Sequence, residues 1–272
     1  MANIGKRQSE GKKGGGSAKI VALANQKGGV GKSTTAMNLS SALAVSGKRV
    51  LLIDADPQGN ASSGLGIDSR GQEHHLYHCL IGEASTDKAI CSIAGHDCFD
   101  LVPTHIDLIG AEIELVSAAN REYFLDKALR SVRNKYDYIF IDCPPSLGLL
   151  TINALTAADS VIIPMQCEYF ALEGLSQLVR TIRLVKNSFN KKLVIEGLLL
   201  TMFDRRNRLT FQVAKEVREH FQGTVYDMVI PRNVRLSESP SHGRPVLTYA
   251  PESVGAVSYL NLAKEFLKKQ NA

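Results

Sequence analysis

A glycine-rich segment with two lysines, KGGVGKST at residues 27–34, has the composition and spacing to hold phosphate. It lies between an apolar run, residues 20–24, and a run with helical spacing of apolar residues, 36–45. A strand that turns through glycines into a helix points consecutive backbone N–H groups and the positive end of the helix dipole at one place. We interpret the segment as a nucleotide phosphate loop, in which Lys32 contacts the β- and γ-phosphates and the Ser33 hydroxyl ligates Mg²⁺.

This loop departs from the general pattern G-x-x-x-x-G-K-[ST], because Gln26 stands where the first glycine is required. A second lysine, Lys27, comes just before the glycines instead. Two lysines on one phosphate loop repel each other unless a larger negative charge neutralises both. The alternative is a glycine turn with two solvated lysines, which the register of the glycines, Lys32 and Ser33 after a strand disfavours.

Three aspartates follow apolar strands and could serve the same site. Asp54 and Asp56 leave the run 50–53 two residues apart, so on an extended backbone they point the same way. One carboxylate can then face Mg²⁺ and the other the attacking water. Asp142 ends the run 138–141, where an acidic residue accepts hydrogen bonds from Mg²⁺-bound water or from Ser33. The alternative for Asp56, an Asp-Pro turn that closes a strand, is less consistent with a neighbouring phosphate loop.

The elements that must position these residues alternate between strand and helix. Further strands are predicted at residues 99–103, 159–165, 194–202 and 225–230, and helices at 107–118, 121–132 and 172–185. This rhythm predicts an α/β fold with a mostly parallel twisted sheet, right-handed crossovers and helices on both faces. We expect a single domain over 19–272 after a disordered basic tail over 1–18. The amphipathic segment 259–269 is expected to pack on the sheet rather than on a membrane.

Composition narrows the class of protein. The chain has 272 residues, 44% hydrophobic and 22% charged, with a net charge of +5, which admits a nucleic-acid or anionic-lipid partner without requiring one. The five cysteines form no C-x-x-C pair and are odd in number, so reduced thiols in a cytoplasmic protein are expected. No secretory h-region opens the chain.

Two segments invite binding hypotheses of their own. Histidines and cysteines between residues 74 and 98 suggest a metal site, but no pair at finger-like spacing completes a tetrahedral set, so we predict a polar insertion over the sheet edge. Residues 180–218 carry ten basic and three acidic side chains. A charge run of this kind is usually a solvated surface when no other observation supports a partner.

Four motifs occur in order along the chain: KGGVGKST at 27–34, DADPQGN at 54–60, DCPP at 142–145 and PRNVRLSESPSHG at 231–243. Together they resemble the ParA/Soj family of chromosome- or plasmid-partitioning ATPases, P-loop NTPases of the SIMIBI type. This family belongs to the deviant Walker A class, which also contains MinD. The resemblance covers about residues 19–267, with Ser239 where the family has alanine.

The resemblance implies roles for individual residues. The implied catalytic residues are Lys27, Lys32 and Asp56. Of these, Lys27 reaches the partner subunit's nucleotide, and Asp56 orients the hydrolytic water. The D-C-P-P loop senses the γ-phosphate. Metal binding falls to Ser33, Asp54 and Asp142. The nucleotide-binding set is Lys27, Gly28, Gly29, Val30, Gly31, Lys32, Ser33 and Thr34 with Met202, Pro231 and Asn233, the last two at the adenine.

The resemblance further implies ATP and Mg²⁺ as ligands and an ATP-dependent homodimer. This dimer binds nonspecific DNA through Arg205, Arg206 and Arg235, and a ParB-type centromere-binding protein stimulates hydrolysis. We therefore expect a cytoplasmic, nucleoid-associated protein with no stable membrane association. Three alternatives remain open: a MinD-type membrane ATPase that places division sites, an iron–sulfur reductase of the nitrogenase type, and a non-enzymatic interaction module. The lone Cys143 after Asp142 offers no cysteine pair for a cluster.

Overall fold

The computed structural model describes residues 17–168 and 171–271. The predicted tail lies outside these residues up to position 16, whereas Ala18 is already buried and its N–H donates to the Arg133 carbonyl. The strands of the described part are β1 Lys19–Leu23, β2 Val50–Asp54, β3 Cys91–Ser92, β4 Phe99–Val102, β5 Tyr138–Asp142, β6 Ser160–Gln166 and β7 Val194–Thr201.

The strands form one sheet in the order β3-β4-β2-β5-β1-β6-β7. All neighbours are parallel except β3 and β4. The predicted α/β class with a mostly parallel sheet is confirmed. The α-helices described are α1 Lys32–Val45, α2 Asn60–Gly64, α3 Leu76–Ile81, α4 Leu108–Leu115, α5 Phe124–Leu129, α6 Leu149–Ala157, α7 Ala171–Ser188, α8 Arg208–His220, α9 Val234–Glu238, α10 Val246–Tyr249 and α11 Val254–Gln270. Short 3₁₀ turns lie at Ser69–Gly71, Thr86–Ala89, Arg121–Tyr123 and Ser239–His242.

Helices cover both faces of the sheet because successive strand residues point to opposite sides. Val21 and Leu23 of β1 pack with α1 and α11, whereas Ile20 and Ala22 pack with α3 to α8. In α7, apolar residues at helical spacing supply the buried side: Leu175, Leu178, Ile182 and Val185. The predicted two-sided arrangement is confirmed.

The C-terminal helix packs on the sheet, as predicted. Ser253 caps α11 by accepting the Ala256 N–H, 3.2 Å away. Phe266 is fully buried, and its ring lies 5.9 Å from that of Phe140 in β5. Burial of one such ring contributes about 1.5 to 3 kcal/mol to stability. The Tyr259 hydroxyl lies 3.1 Å from Thr35 Oγ1 in α1, so α11 supports the helix that follows the phosphate loop.

The strand predicted at residues 225–230 is wrong. Within residues 17–168 and 171–271, this segment joins the sheet only through single bridges, Leu198 to Val225 and Phe203 to Pro231. Between them, the N–H groups of Asp227 and Met228 donate to the carboxylate of Glu265 in α11, at 2.8 and 2.9 Å. Because these donors are directed to a side chain, no continuous ladder forms along β7.

Candidate nucleotide site

The glycine loop between β1 and α1 is built for close approach of a ligand. Gly29 and Gly31 have φ values of 73° and 84°, which favour glycine. The Thr201 hydroxyl, at the end of β7, donates to the Val30 carbonyl at 2.7 Å and lies 3.1 Å from the Met165 carbonyl. The loop is thereby held against the ends of β6 and β7.

The two lysines of the loop occupy different environments. Lys32 is 6% exposed at the start of α1. The Lys27 side chain is 45% exposed, and its ammonium group pairs with Glu168, which follows β6. Below it, the Lys27 N–H donates to Asn25 Oδ1 at 3.0 Å, and Asn25 Nδ2 donates to the Pro164 carbonyl at 2.7 Å. Sequence reasoning missed Glu168, because its pairing with Lys27 depends on the adjacency of β1 and β6.

Two of the predicted acidic residues are direct neighbours in the sheet, since Asp54 of β2 is in register with Asp142 of β5. Both are fully buried. Neither carboxylate oxygen of Asp142 completes a hydrogen bond within the described part of the chain. Burial, and then the charge of Asp54, raise the pKa of Asp142 well above its usual value, although nearby Ser33 and Lys32 act in the opposite direction. Such orphaned carboxylate oxygens suit a hard divalent cation.

The Asp54 carboxylate is engaged by Ser62 of α2. Its Oδ2 accepts the Ser62 N–H at 2.8 Å and the Ser62 hydroxyl at 2.7 Å, and burial still raises its pKa to about 6. The Ser62 hydroxyl oxygen in turn accepts the Thr104 N–H at 3.2 Å. Asp54 thus links β2 to α2 and to the loop after β4, and the metal role expected of it stays a prediction.

Asp56 lies with the phosphate loop around a cavity of about 420 Å³. Gly28, Gly29, Gly31, Lys32, Ser33, Thr34, Asp56, Pro145 and Met202 are among its lining residues. Asp56 is 5% exposed, and its Oδ1 accepts the Gln58 N–H at 3.0 Å. Here the structure brings together residues from the phosphate loop, the segment after β2 and the D-C-P-P segment after β5.

A second cavity of about 230 Å³ adjoins the first, because Gly31, Thr34, Met202 and Pro240 line both. Pro231 and Asn233 line the second cavity, and Asn233 caps α9 by accepting the Arg235 N–H at 3.0 Å. Met202 has a φ of 48°, a backbone conformation that costs a non-glycine residue on the order of 1 kcal/mol or more. Sequence reasoning gave no sign of this strain, which lies where the two cavities meet.

The three arginines assigned to DNA lie on exposed backbone segments beyond this second cavity. Arg206 Nε is 3.1 Å from Asp204 Oδ1, and Arg235 Nη1 is 2.8 Å from Glu238 Oε2. Arg205 is exposed and forms no ion pair with any residue the structure describes. The bridge between Phe203 and Pro231 holds the two segments side by side.

Other features bear on the alternatives. All five cysteines are free, and burial raises the pKa of Cys143. Among residues 17–168 and 171–271, no helix combines the length and apolar character needed to cross a bilayer. A parallel sheet with a glycine loop and strand-end aspartates at one edge defines the class of P-loop nucleotide hydrolases.

Comparisons with known proteins place the chain within that class. A family model described as AAA domain matches residues 18–195. The sporulation initiation inhibitor protein Soj of Bacillus subtilis is 58% identical over 91% of this chain and 97% of its own length. The chromosome partitioning protein ParA of Caulobacter vibrioides is 55% identical over 93% of this chain and 95% of its own. The chain belongs to the Soj/ParA family of chromosome-partitioning ATPases.

A solved structure agrees with this fold while its name describes another activity. The cobyrinic acid a,c-diamide synthase of Mycobacterium smegmatis, crystallised with an ATP analogue and magnesium, has a TM-score of 0.83 and 36% identity, covering 94% of this chain and 96% of that one. The much higher identity to Soj and ParA decides the family.

Proposed function

We propose that the protein hydrolyses ATP with Mg²⁺ and uses the ATP-bound state to form a homodimer that binds DNA without sequence preference. One observation carries the proposal: the glycine loop and Asp56 line one cavity, the Pro231 to Asn233 segment lines a second, and the two cavities share lining residues. The first cavity accommodates phosphates and the second the adenine. The solved neighbour with an ATP analogue and magnesium supports this choice of ligand.

The phosphate end of the proposed site contains both cationic and acidic groups. Backbone N–H groups of residues 28–34 and the Lys32 ammonium bind the phosphates. Asp142 and Ser33 hold Mg²⁺, a role that the orphaned oxygens of Asp142 support. When bound, the ion offsets negative charge on the phosphate oxygens. Asp54 acts through Ser62, fixing the segment that carries Asp56.

Hydrolysis is a phosphoryl transfer to water in which positioning and charge stabilisation supply the catalysis. Asp56 lines the phosphate cavity, and one of its oxygens is already committed to the Gln58 N–H. Its other oxygen orients the attacking water. Lys32 and Lys27 offset the charge that develops on the transferred group.

Lys27 makes the site depend on a second subunit. In the single chain this lysine pairs with Glu168 at the exposed rim rather than entering the cavity lined by Lys32. We infer that nucleotide-dependent dimerisation moves the Lys27 ammonium from Glu168 to the partner's phosphates. Slow hydrolysis by the monomer follows, and a ParB-type protein accelerates the reaction in the dimer.

DNA binding uses Arg205, Arg206 and Arg235, on the two segments that flank the adenine end. Because these segments also line or adjoin the second cavity, nucleotide binding and DNA binding share backbone elements. Nucleoid association follows from this activity.

Mobility of nonspecific DNA with ATP, with ADP and without nucleotide tests the proposal. Of these three conditions, only the one with ATP is expected to retard the DNA. Lys27→Ala and Lys32→Ala should abolish the retardation. Lys88→Ala, which changes an exposed lysine outside the loop, should not. Phosphate release should rise when DNA and a ParB-type protein are added together. ATP-dependent sedimentation with anionic liposomes, in place of DNA retardation, would favour the MinD-type alternative.

A further inference from the structure

A group of histidines lies outside the nucleotide site, between α3 and the loop after β4. The N-terminal end of α3 is fixed on this loop, because the Leu76 N–H donates to the Pro103 carbonyl at 2.9 Å. The His75 ring consequently stacks on the His105 ring with their centroids 4.8 Å apart, and the His78 ring lies 4.2 Å from that of His75.

Asp107 completes this group. One potential ligand atom from each of His75, His105 and Asp107 lies within 4.8 Å of the other two. His105 Nδ1 is 2.9 Å from Asp107 Oδ2. The segment 74–98 alone shows no complete ligand set, because two of these residues come from the loop after β4, about thirty positions further along the chain.

His75 carries an unexplained polar atom. The residue is 4% exposed, and its Nδ1 is buried. At the start of α3 the His75 side chain is directed at the His78 N–H, but Nδ1 completes no hydrogen bond within the part of the chain that the structure describes. A buried polar atom without a partner costs on the order of 1 to 3 kcal/mol, so it calls for a ligand or another explanation.

We propose that His75, His105 and Asp107 bind a divalent transition-metal ion of the Zn²⁺ class, with His78 or water in the fourth position. Two imidazoles and one carboxylate suit Zn²⁺, whereas Mg²⁺ prefers oxygen ligands throughout. This chemistry separates the site from the one formed by Ser33 and Asp142. None of its three ligands belongs to the proposed nucleotide site.

The geometry requires a small closure. Ligand atoms around a tetrahedral Zn²⁺ lie about 3.3 Å apart, given Zn–N distances of about 2.0 to 2.1 Å. The present spacing of up to 4.8 Å shortens by side-chain rotation, for which His105 and Asp107 have room, since their side chains are 25% and 58% exposed. If His78 takes the fourth position, its Nε2 is the ligand atom, because its Nδ1 accepts the His75 N–H at 3.3 Å.

Hydrogen bonds connect the proposed metal site to the segments around the proposed nucleotide site. The backbone of Thr104, next to His105, donates to the Ser62 hydroxyl, and Ser62 holds Asp54. Gly59, Thr104 and His105 also line a cavity of about 700 Å³ that opens beside the segment after Asp56. An ion at His105 therefore restrains the loop on which α2 rests.

Titration of the metal-stripped full chain with Co²⁺, in the presence of excess Mg²⁺ and ADP, tests this proposal. We expect visible d–d absorption of a tetrahedral site, saturation at one ion per chain, displacement by Zn²⁺, and a higher melting temperature with Zn²⁺. The paired change H105A with D107N should weaken Co²⁺ binding at least about tenfold and remove the thermal shift. Absence of stoichiometric binding by the wild type would overturn the proposal.

A matched control removes one histidine and one aspartate elsewhere. H220A with D97N changes exposed residues remote from His75 and should leave the Co²⁺ spectrum and affinity unchanged. Equal loss in both double variants would show that the spectrum reports scattered surface binding and would contradict the assignment. The H105A and D107N changes affect partly exposed side chains, so circular dichroism should show that this double variant is folded. His75 is left unchanged because it is buried and its removal would disturb packing.

Discussion

The charged groups around the nucleotide site fall into two regions with opposite solvation. The floor, defined by Lys32, Asp54 and Asp142, is buried, and the Asp142 oxygens lack hydrogen-bond partners among described residues. The rim consists of Lys27, Arg206 and Arg235, each paired with a carboxylate and substantially exposed. Charges in the floor are costly without a ligand, whereas those in the rim are already balanced by a side chain.

The floor and the rim contribute to ligand binding in different ways. A folded-state pKa of about 6 for Asp54, against about 3.9 unfolded, corresponds to a cost on the order of 3 kcal/mol at neutral pH. We expect a cation and a triphosphate bound at the proposed site to offset part of this cost. In the rim, exchange of one exposed carboxylate for a phosphate changes the free energy little, so we expect contacts there to contribute to the choice of partner or nucleotide state rather than to affinity.

The largest expected effect falls on the floor. Lys32→Ala removes a buried ammonium group that we propose contacts phosphate, and we expect ATP affinity to fall about a hundredfold. Titration with a fluorescent ATP analogue measures the loss. Lys88→Ala, which removes an exposed lysine, should bind as the wild type does. An affinity within about twofold of the wild type for Lys32→Ala would show that the floor contributes no more than the rim.

Asp142→Asn separates stability from ligand binding in the floor. Because burial raises the folded pKa of Asp142, this carboxyl group costs the metal-free protein stability at neutral pH, and we expect the variant to be more stable, by an amount on the order of 1 kcal/mol. It should also lose the increase in nucleotide affinity that Mg²⁺ produces.

The raised pKa of Asp142 also determines how the stability difference between Asp142→Asn and the wild type changes with pH. A raised carboxyl pKa means that the wild type gains stability as pH falls through the folded pKa, so the advantage of Asp142→Asn should shrink from about pH 7.5 to about pH 5. Urea denaturation at both values measures it, and Asp97→Asn, an exposed position, serves as the control. A variant less stable than the wild type at the higher pH would refute the unpaired-charge interpretation of the floor.

The positions of the floor residues were largely predictable from sequence, whereas the ion pairs that the rim residues form were not. The glycine loop and the aspartates are set by short segments in which strand, turn and helix follow one another, so their positions at one sheet edge follow from local pattern. The pairing of Lys27 with Glu168 joins residues 141 positions apart. Likewise, the loss of the strand at 225–230 depends on Glu265, and the approach of His105 to His75 depends on how α3 rests on β4. Such contacts are set by tertiary packing, which periodicity does not encode.

Glu168→Gln tests whether the ion pair with Lys27 opposes dimerisation. Removal of the carboxylate charge frees Lys27, so we expect ATP-dependent dimerisation to strengthen, by about fivefold at most because the pair is exposed. Lys27→Ala should abolish dimerisation in the same assay, analytical ultracentrifugation with ATP. Glu173→Gln, in the first turn of α7, is the matched control. Weaker dimerisation of Glu168→Gln would mean that Glu168 supports the dimer rather than competing with it.

The smallest expected effect concerns the arginine side of the rim. The Arg206 guanidinium group donates a hydrogen bond to the Asp204 carboxylate and lowers the pKa of Asp204. Asp204→Asn removes this negative charge, so the arginine becomes available to a phosphate group. DNA affinity in the ATP state should rise about two- to threefold, and the slope of log affinity against log salt should steepen by up to about 0.9, one additional phosphate contact. Arg206→Ala should flatten that slope by a similar amount, whereas Asp97→Asn, which removes one exposed carboxylate elsewhere, should leave it unchanged. If all three variants kept the wild-type slope, Arg206 would not contact DNA, and the basic surface would have to be sought among other residues of the segment 180–218.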